Sequence, residues 1–295
     1  MKLVIGGNDF TSLCEYMTLE SDISWAADVL TCRIIFENHD GYLPPVYAKT
    51  GDDVRLYDGE NPVFSGEAVS VTTYGADGVF EVQAMERSHV LAKSHVKGYF
   101  EGREGLERAF SQAGITLKSC PALSYAPFSS RGGLTAWDVF KKAAGDSCYL
   151  KYGSAADIIK KGTAVYSADS SSIISIVSKD DAEDICSKAV VVDYGGRELF
   201  SASDRALSEK YGQVTKYITA AQDADGKSLA QSALKGEIKR AEVTLIGTFV
   251  PQKGGKTDFS LERYGLSGRY DIVNVLHTAE EGVLLTTLTA EREER

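Results

Sequence analysis

The sequence predicts a β-rich α+β fold, with β-rich segments at both ends of the chain and a small α/β region between them. Three observations carry this. Residues 51 to 87 read as a meander in which Val54 and Leu56, then Val69 and Val71, then Phe80, Val82 and Ala84 alternate with polar neighbours, which is the period of a sheet with one buried face. After Ser88 the apolar spacing becomes that of short amphipathic helices. The last third returns to alternation and ends in a hairpin between Tyr270 and Ala290.

In chain order, Lys2 to Ile5 is a short strand, and Asp22 to Trp25 and Val29 to Phe36 suggest two more. The second of these is apolar enough to be central in a sheet, and with the meander they give strands enough to close a small barrel. Pro44-Pro45 marks an edge or loop. The meander reverses at Asp58-Gly59-Glu60-Asn61-Pro62 and at Gly75-Ala76-Asp77-Gly78, residues that tolerate positive φ or fix it near −65°. A bulge is expected around Ser65-Gly66-Glu67, curving the sheet.

Leu106, Ala109, Phe110 and Ala113 share one helical face and Gly114 is placed to stop that helix. A second helix is capped by Thr135 with Asp138 at its third position, carries Leu134, Trp137, Phe140 and Ala144 as its stripe, and ends at Gly145. Strands follow at Cys148 to Tyr152, Ala164 to Tyr166, Ile173 to Val177 and Ala189 to Val192, and Gly195-Gly196 makes a hairpin turn. Lys227 to Arg240 reads as a helix striped by Leu229, Ala230, Ala233, Leu234 and Ile238, with a strand over Glu242 to Val250 directly after it. The final hairpin turns at Ala279-Glu280-Glu281-Gly282. These breaks set expected domains at 1–95, 96–189 and 190–295.

A chain of 295 residues has room for two or three domains. The formal charge of −10 argues against a nucleic-acid surface, which needs clustered Lys and Arg. The one basic cluster, Lys235 to Arg240, is split by Glu237 and reads as a solvated face. The opening MKLVIGGND has too short an apolar run for a signal peptide, and no stretch approaches a membrane span, so membrane insertion is not expected. Cys14, Cys32, Cys120, Cys148 and Cys186 are odd in number and form no Cys-x-x-Cys pair; they are read as buried apolar residues rather than disulfides or zinc ligands.

Catalytic signals are weak. Gly265-Leu266-Ser267-Gly268 lacks the Gly-x-Ser-x-Gly spacing and reads as a strand-entry turn. Gly254-Gly255-Lys256-Thr257 resembles the end of a phosphate loop, but the first glycine of that motif would fall on Val250, so a hairpin tip is expected. His39, His89, His95 and His277 have no ligand spacing. Asp52-Asp53, Asp180-Asp181 and Glu280-Glu281 fall at expected turns, and Trp25 and Trp137 are read as core. No catalytic, cofactor-binding or metal residue is assigned, and no enzyme is expected.

The entry Gly51-Asp52-x-Val54-x-Leu56, the turn, Val63-Phe64-Ser65-Gly66 and a strand running into an acidic residue together resemble the first barrel of the baseplate hub proteins of contractile phage tails and phage-tail-like particles, the PBSX-type or late control gene D-like hub. The series from Gly265 to His277 (G-L-S-G-x-Y-x-I-x-x-V-x-H), a glycine turn and Thr286 to Thr289 resemble the closing barrel of that family, and the Thr135 helix leading into Tyr149 and Tyr152 sits where it has an intermediate α/β domain. The resemblance implies two tail-tube-like β-barrel domains bridged by a small α/β domain. It implies a homotrimeric ring joining the tail tube to the central spike, with tail tube, spike, baseplate wedge and tape-measure proteins as partners. It further implies assembly in the bacterial cytoplasm and residence in the baseplate of the virion or particle. A tail-associated peptidoglycan-degrading enzyme is the alternative.

Overall fold

Strands with one apolar face bury it only by pairing side by side and curling over it. In the computed structural model, which describes residues 1–35, 47–75, 77–123, 125–145, 147–167, 170–220 and 225–294, most of the chain does this within one 13-stranded sheet. The N-terminal strands are β1 (Lys2–Ile5), β2 (Asn8–Asp9), β3 (Cys14–Asp22), β4 (Val29–Ile35), β5 (Asp53–Asp58), β6 (Asn61–Tyr74) and β7 (Val79–Met85). They enclose Phe10, Leu30, Cys32, Ile34, Val54, Leu56, Phe80 and Val82, all but removed from solvent.

The chain then leaves the sheet for a helical unit: β8 (His95–Phe100), α1 (Gly102–Gln112), β9 (Leu117–Ser119), β10 (Phe128–Thr135), α2 (Ala136–Ala144), β11 (Cys148–Tyr152) and β12 (Ala156–Lys160). Its core packs Leu106 and Phe110 of α1 against Val139 and Phe140 of α2, with Leu91 and Ala26 reaching in from the N-terminal segment. Thr135 and Asp138 form the expected capping box, the Thr135 hydroxyl accepting the Asp138 N–H at 3.1 Å and the Asp138 carboxylate accepting the Thr135 N–H at 2.8 Å.

β13 (Val165–Ser167) and β14 (Ile173–Asp181) return to the large sheet. A satellite unit follows, with β15 (Lys188–Val192), β16 (Glu198–Ser203), α3 (Arg205–Tyr211), β17 (Thr215–Thr219) and α4 (Gly226–Ala233) around a small core of Ala189, Val191 and Ala230. The chain ends with β18 (Glu237–Ile246), β19 (Lys256–Leu261), β20 (Leu266–Glu280) and β21 (Val283–Glu294). Among the described residues no helix is long and apolar enough to cross a membrane.

The two ends of the chain meet in an antiparallel ladder between β3 and β20, running from Asn274 opposite Asp22 to Glu280 opposite Tyr16. The Asn274 amide reinforces it, donating to Glu20 at 3.0 Å and Asp22 at 3.2 Å. Outward from this seam one half runs β3, β4, β7, β6 and the other β20, β21, β18, β14. In chain order the first is first, second, fourth and third of its set, and the other is third, fourth, second and first. Moving the terminal hairpin ahead of β14 would make the orders the same, so the four strands nearest the seam on either side are circular permutations of one another, while β5, β1 and β2 extend the N-terminal side further. The β-rich α+β class with two curled sheet halves is thus what the chain adopts, with the halves fused through β3 and β20 into one sheet.

Several local expectations are corrected. The strand expected at Asp22 to Trp25 is a turn, and the strand itself is β3, whose Met17 and Leu19 were the buried positions of its alternation. The bulge is not at Ser65-Gly66-Glu67: register shifts fall at Val63 opposite β5 and at Val69 opposite β7. Gly66 stays in register, and is glycine because a Cβ there would strike the Met85 carbonyl and the Phe64 ring. The helix expected over Lys227 to Arg240 stops at Ala233, because β21 offers backbone partners to every residue from Glu237 to Ile246. Pro44-Pro45 and His39 lie outside the described residues.

Candidate functional site

Three stretches remote in sequence converge where the helical unit meets the sheet. The β3–β4 loop brings Asp28, the end of β7 brings Glu86, and the loop between β18 and β19 brings Lys253; with Tyr149 and Lys151 of β11 they border a cavity of about 450 Å³, a volume in the range of ligand pockets. Each side chain is fixed by its backbone. Glu86 sits between β7 and a 3-10 turn at Arg87–Ala92, and its carbonyl accepts the His89 N–H at 3.0 Å. Lys253 precedes Gly254, whose φ of +73° and contact face against the Tyr149 ring leave no room for a Cβ. The Gly254 N–H donates to the Ile272 carbonyl at 2.7 Å and its carbonyl accepts the Gly162 N–H at 2.8 Å, so the loop is clamped between sheet and helical unit.

The polar groups form a chain of contacts. The Lys253 ammonium, only 5% exposed as a residue, meets Asp28 Oδ1 at 2.5 Å, and the Ser21 hydroxyl donates to Asp28 Oδ2 at 2.7 Å. Glu86 Oε2 accepts the Asp28 N–H at 3.0 Å, while the Glu86 N–H donates to the Asp28 carbonyl at 3.2 Å. Burial pushes the Glu86 carboxyl up to about 8, the adjacent Asp28 adds to this and Lys253 opposes it, so the group holds its proton at neutral pH. At the rim Lys151 Nζ donates to Gln252 Oε1 at 3.2 Å.

His277 of β20 lines the same cavity from the sheet side. The Thr286 hydroxyl donates to the Thr248 carbonyl at 2.6 Å, which leaves it to accept from His277 Nδ1 at 2.9 Å and fixes the neutral tautomer. Burial depresses the imidazole to about 4, and the Phe249 ring lies 4.7 Å from it. The cavity therefore holds a protonated carboxyl, a neutral imidazole and a lysine already committed to Asp28. General acid chemistry would need a free carboxyl oxygen near a scissile bond; one Glu86 oxygen is already engaged by the Asp28 backbone, and the contacts join three chain segments.

None of the three central residues was singled out in the sequence, where Glu86 was visible only as the acidic end of the meander. The residues considered there are scattered. Trp137 stacks on Phe140 at 4.8 Å in the helical core as expected, but Trp25 is 38% exposed. Cys32, Cys148 and Cys186 are buried, whereas Cys14 and Cys120 are half-buried. Gly254 to Thr257 is not a hairpin tip, since β18 and β19 are not partners; it is the buried crossing loop that carries Lys253. Asp180 and Asp181 lie in β14 opposite Lys239 and Ile238 rather than in a turn. His277 lies within β20, and Gly265 to Gly268 is the strand entry expected. Glu281 does sit in the terminal turn, at a φ of 49°.

No protein-family model matches the chain, and no curated protein matches it in sequence. Solved structures match it in fold. The prophage MuSo2 43 kDa tail protein from Shewanella oneidensis superposes with a TM-score of 0.74 at 12% identity, over 98% of this chain and 96% of that one. A tail protein from Neisseria meningitidis MC58 gives 0.76 at 13% identity, over 99% and 95%. An E. coli component of the type VI secretion system, itself structurally similar to T4 bacteriophage tail proteins, gives 0.58 at 10% identity, over 98% and 76%. The chain thus has the fold of phage tail proteins along nearly its entire length.

Proposed function

We propose that the chain is a structural component of a phage tail or tail-like particle, and specifically the baseplate hub: a ring that joins the distal end of the tail tube to the central spike. The observation that carries this reading is the fold likeness to tail proteins over 98 to 99% of the chain. The permuted repeat of one ladder on either side of the β3–β20 seam supports it, because three copies of a chain with two equivalent halves present six similar units to a sixfold tube. In this reading the chain trimerises, contacts tube, spike, wedge and tape-measure proteins, is assembled in the bacterial cytoplasm and resides in the baseplate.

The proposed division keeps tube-like units at 1–95 and 190–295 with a bridging unit at 96–189. Of that bridge, β13 and β14 hydrogen-bond into the large sheet, so its independent core is the part ending at β12. The test is to insert an epitope at the exposed Gly195-Gly196 turn and locate it on assembled particles by antibody labelling in electron microscopy. Label at the distal end of the tube, with light scattering of the purified chain and spike giving three copies, is the expected outcome. Label along the sheath or at the head-proximal end would overturn it.

A peptidoglycan-degrading enzyme is the second reading, favoured by a single observation, the buried Glu86 carboxyl beside Asp28 at an open cavity. A zymogram on purified peptidoglycan decides between them. Clearing by the unaltered chain and none by Glu86→Gln would establish the enzyme; no clearing by either is expected of a hub.

A further inference from the structure

We propose that Asp28, Glu86 and Lys253 form a proton-operated clasp: with a proton on Glu86 the 249–255 loop and the helical unit stay seated on the sheet, and without it they loosen. The geometry is that of a joint. Asp28 and Glu86 belong to the N-terminal half, Lys253 to the loop entering β19 and Lys151 to the helical unit, and among the described residues the short ionic contact at their centre is Lys253 to Asp28. One ammonium balances one carboxylate. Loss of the Glu86 proton puts a second carboxylate beside the first, buried, with no lysine within ion-pair distance of it among the described residues, an arrangement that costs free energy unless water or movement relieves it.

The cavity supplies both. Glu86 Oε1 has no hydrogen-bond partner among the described residues and is not sealed off, so the carboxyl proton exchanges with the cavity rather than with a protein acceptor. Charged and titratable groups surround Glu86, among them His89, whose Nδ1 lies 3.0 Å from the Glu86 carbonyl oxygen. Asp28 comes from the β3–β4 loop, Lys253 from the crossing loop, and Lys151 and Tyr152 from β11; Arg87 and Glu67 act on Tyr152 from the Glu86 side. Asp58 and His277 also line the cavity. Of these, Lys253 and Lys151 favour an ionised Glu86 across the joint, and each is already engaged, with Asp28 and with Gln252.

The sign follows from linkage. A carboxyl whose pKa is raised by folding stabilises the closed joint fully below its ordinary pKa, and this is lost as pH rises through about 8. The test is hydrogen exchange followed by mass spectrometry at pH 6.5 and 8.5, corrected for intrinsic rates, on the full chain. Peptides covering 85–92, 148–153 and 249–255 are expected to lose protection on the order of tenfold at the higher pH, while α1 and β18 are unchanged. Glu86→Gln is expected to abolish the dependence. Asp28→Asn, which frees Lys253 to pair with Glu86, is expected to shrink it and serves alone if Glu86→Gln does not fold. Equal protection at both pH values in the unaltered chain, or an undiminished loss in Asp28→Asn or Glu86→Gln, would overturn the clasp.

Discussion

The two halves of the large sheet share a ladder order but are built from the chain in opposite ways. The N-terminal half uses consecutive strands from β3 to β7, every step but that from β4 to β5 handing the chain to an adjacent strand, and its core is apolar at Leu30, Cys32, Ile34 and Val82. The C-terminal half gathers β14 and then, after the satellite unit, β18 to β21, and its core includes Tyr270 and Thr257, directly opposite in the β19–β20 register. Neither of those two hydroxyls has a hydrogen-bond partner among the described residues. Ladder order survives permutation of the chain, because a sheet is specified by which faces are buried and which edges pair, whereas core quality follows the local sequence.

The largest expected effect tests whether the halves are one cooperative unit. Leu30→Ala in β4 and Leu288→Ala in β21 each delete a fully buried side chain and are expected to cost about 3 kcal/mol. If the β3–β20 seam couples the halves, either change lowers hydrogen-exchange protection in both β5–β7 and β18–β21. Loss confined to the altered half would mean that the seam joins two independently stable ladders.

A smaller effect sharpens the comparison at the seam itself. His277 is depressed to about 4 by burial, so the unfolded chain binds its proton first, and the stability it provides above about pH 6.5 is lost as pH falls toward 4. The loss amounts to about 3 kcal/mol at most. Glu86 acts in the opposite direction in the overlapping window, so the difference between the unaltered chain and His277→Gln isolates the histidine. Urea midpoints from pH 7 to 4.5 should fall less steeply in the variant; parallel curves would mean the imidazole is solvated.

The smallest effect concerns the C-terminal core. Tyr270→Phe removes a buried hydroxyl that finds no protein partner and is expected to be neutral or stabilising by up to about 1 kcal/mol, since an unsatisfied buried donor costs what a hydrogen bond would return. A clear loss in urea midpoint would place an ordered water on that hydroxyl and bring the two cores closer in quality.

Legibility followed sequence distance. The turns at Gly59-Glu60 and Gly195-Gly196, the Thr135 capping box and the Gly114 stop were readable because each is decided by residues within a few positions of one another. In the sequence Tyr270, Ile272 and Asn274 alternate with Asp271, Val273 and Val275, yet a register shift at Val273 turns Val275 inward beside Tyr270 and Ile272, and nothing nearby in sequence marks it. Lys227 to Arg240 carried a helical stripe whose end, from Glu237, lost to pairing with β21. The Asp28–Glu86–Lys253 cluster was invisible for the same reason, since its members are ordinary charged residues whose meaning depends on being brought together.

The sequence by itself determined the β-rich class, the helices capped at Thr135 and stopped at Gly114, and the meander that opens the fold, since local periodicity and turn chemistry suffice for these. Only the tertiary structure decided that the two ends would pair through β3 and β20, that the halves would be permuted copies of one ladder, and that a lysine and two acids would meet at their junction. Those outcomes depend on long-range edge pairing and on desolvating charges together, free energies that exist only once strands more than two hundred residues apart lie side by side.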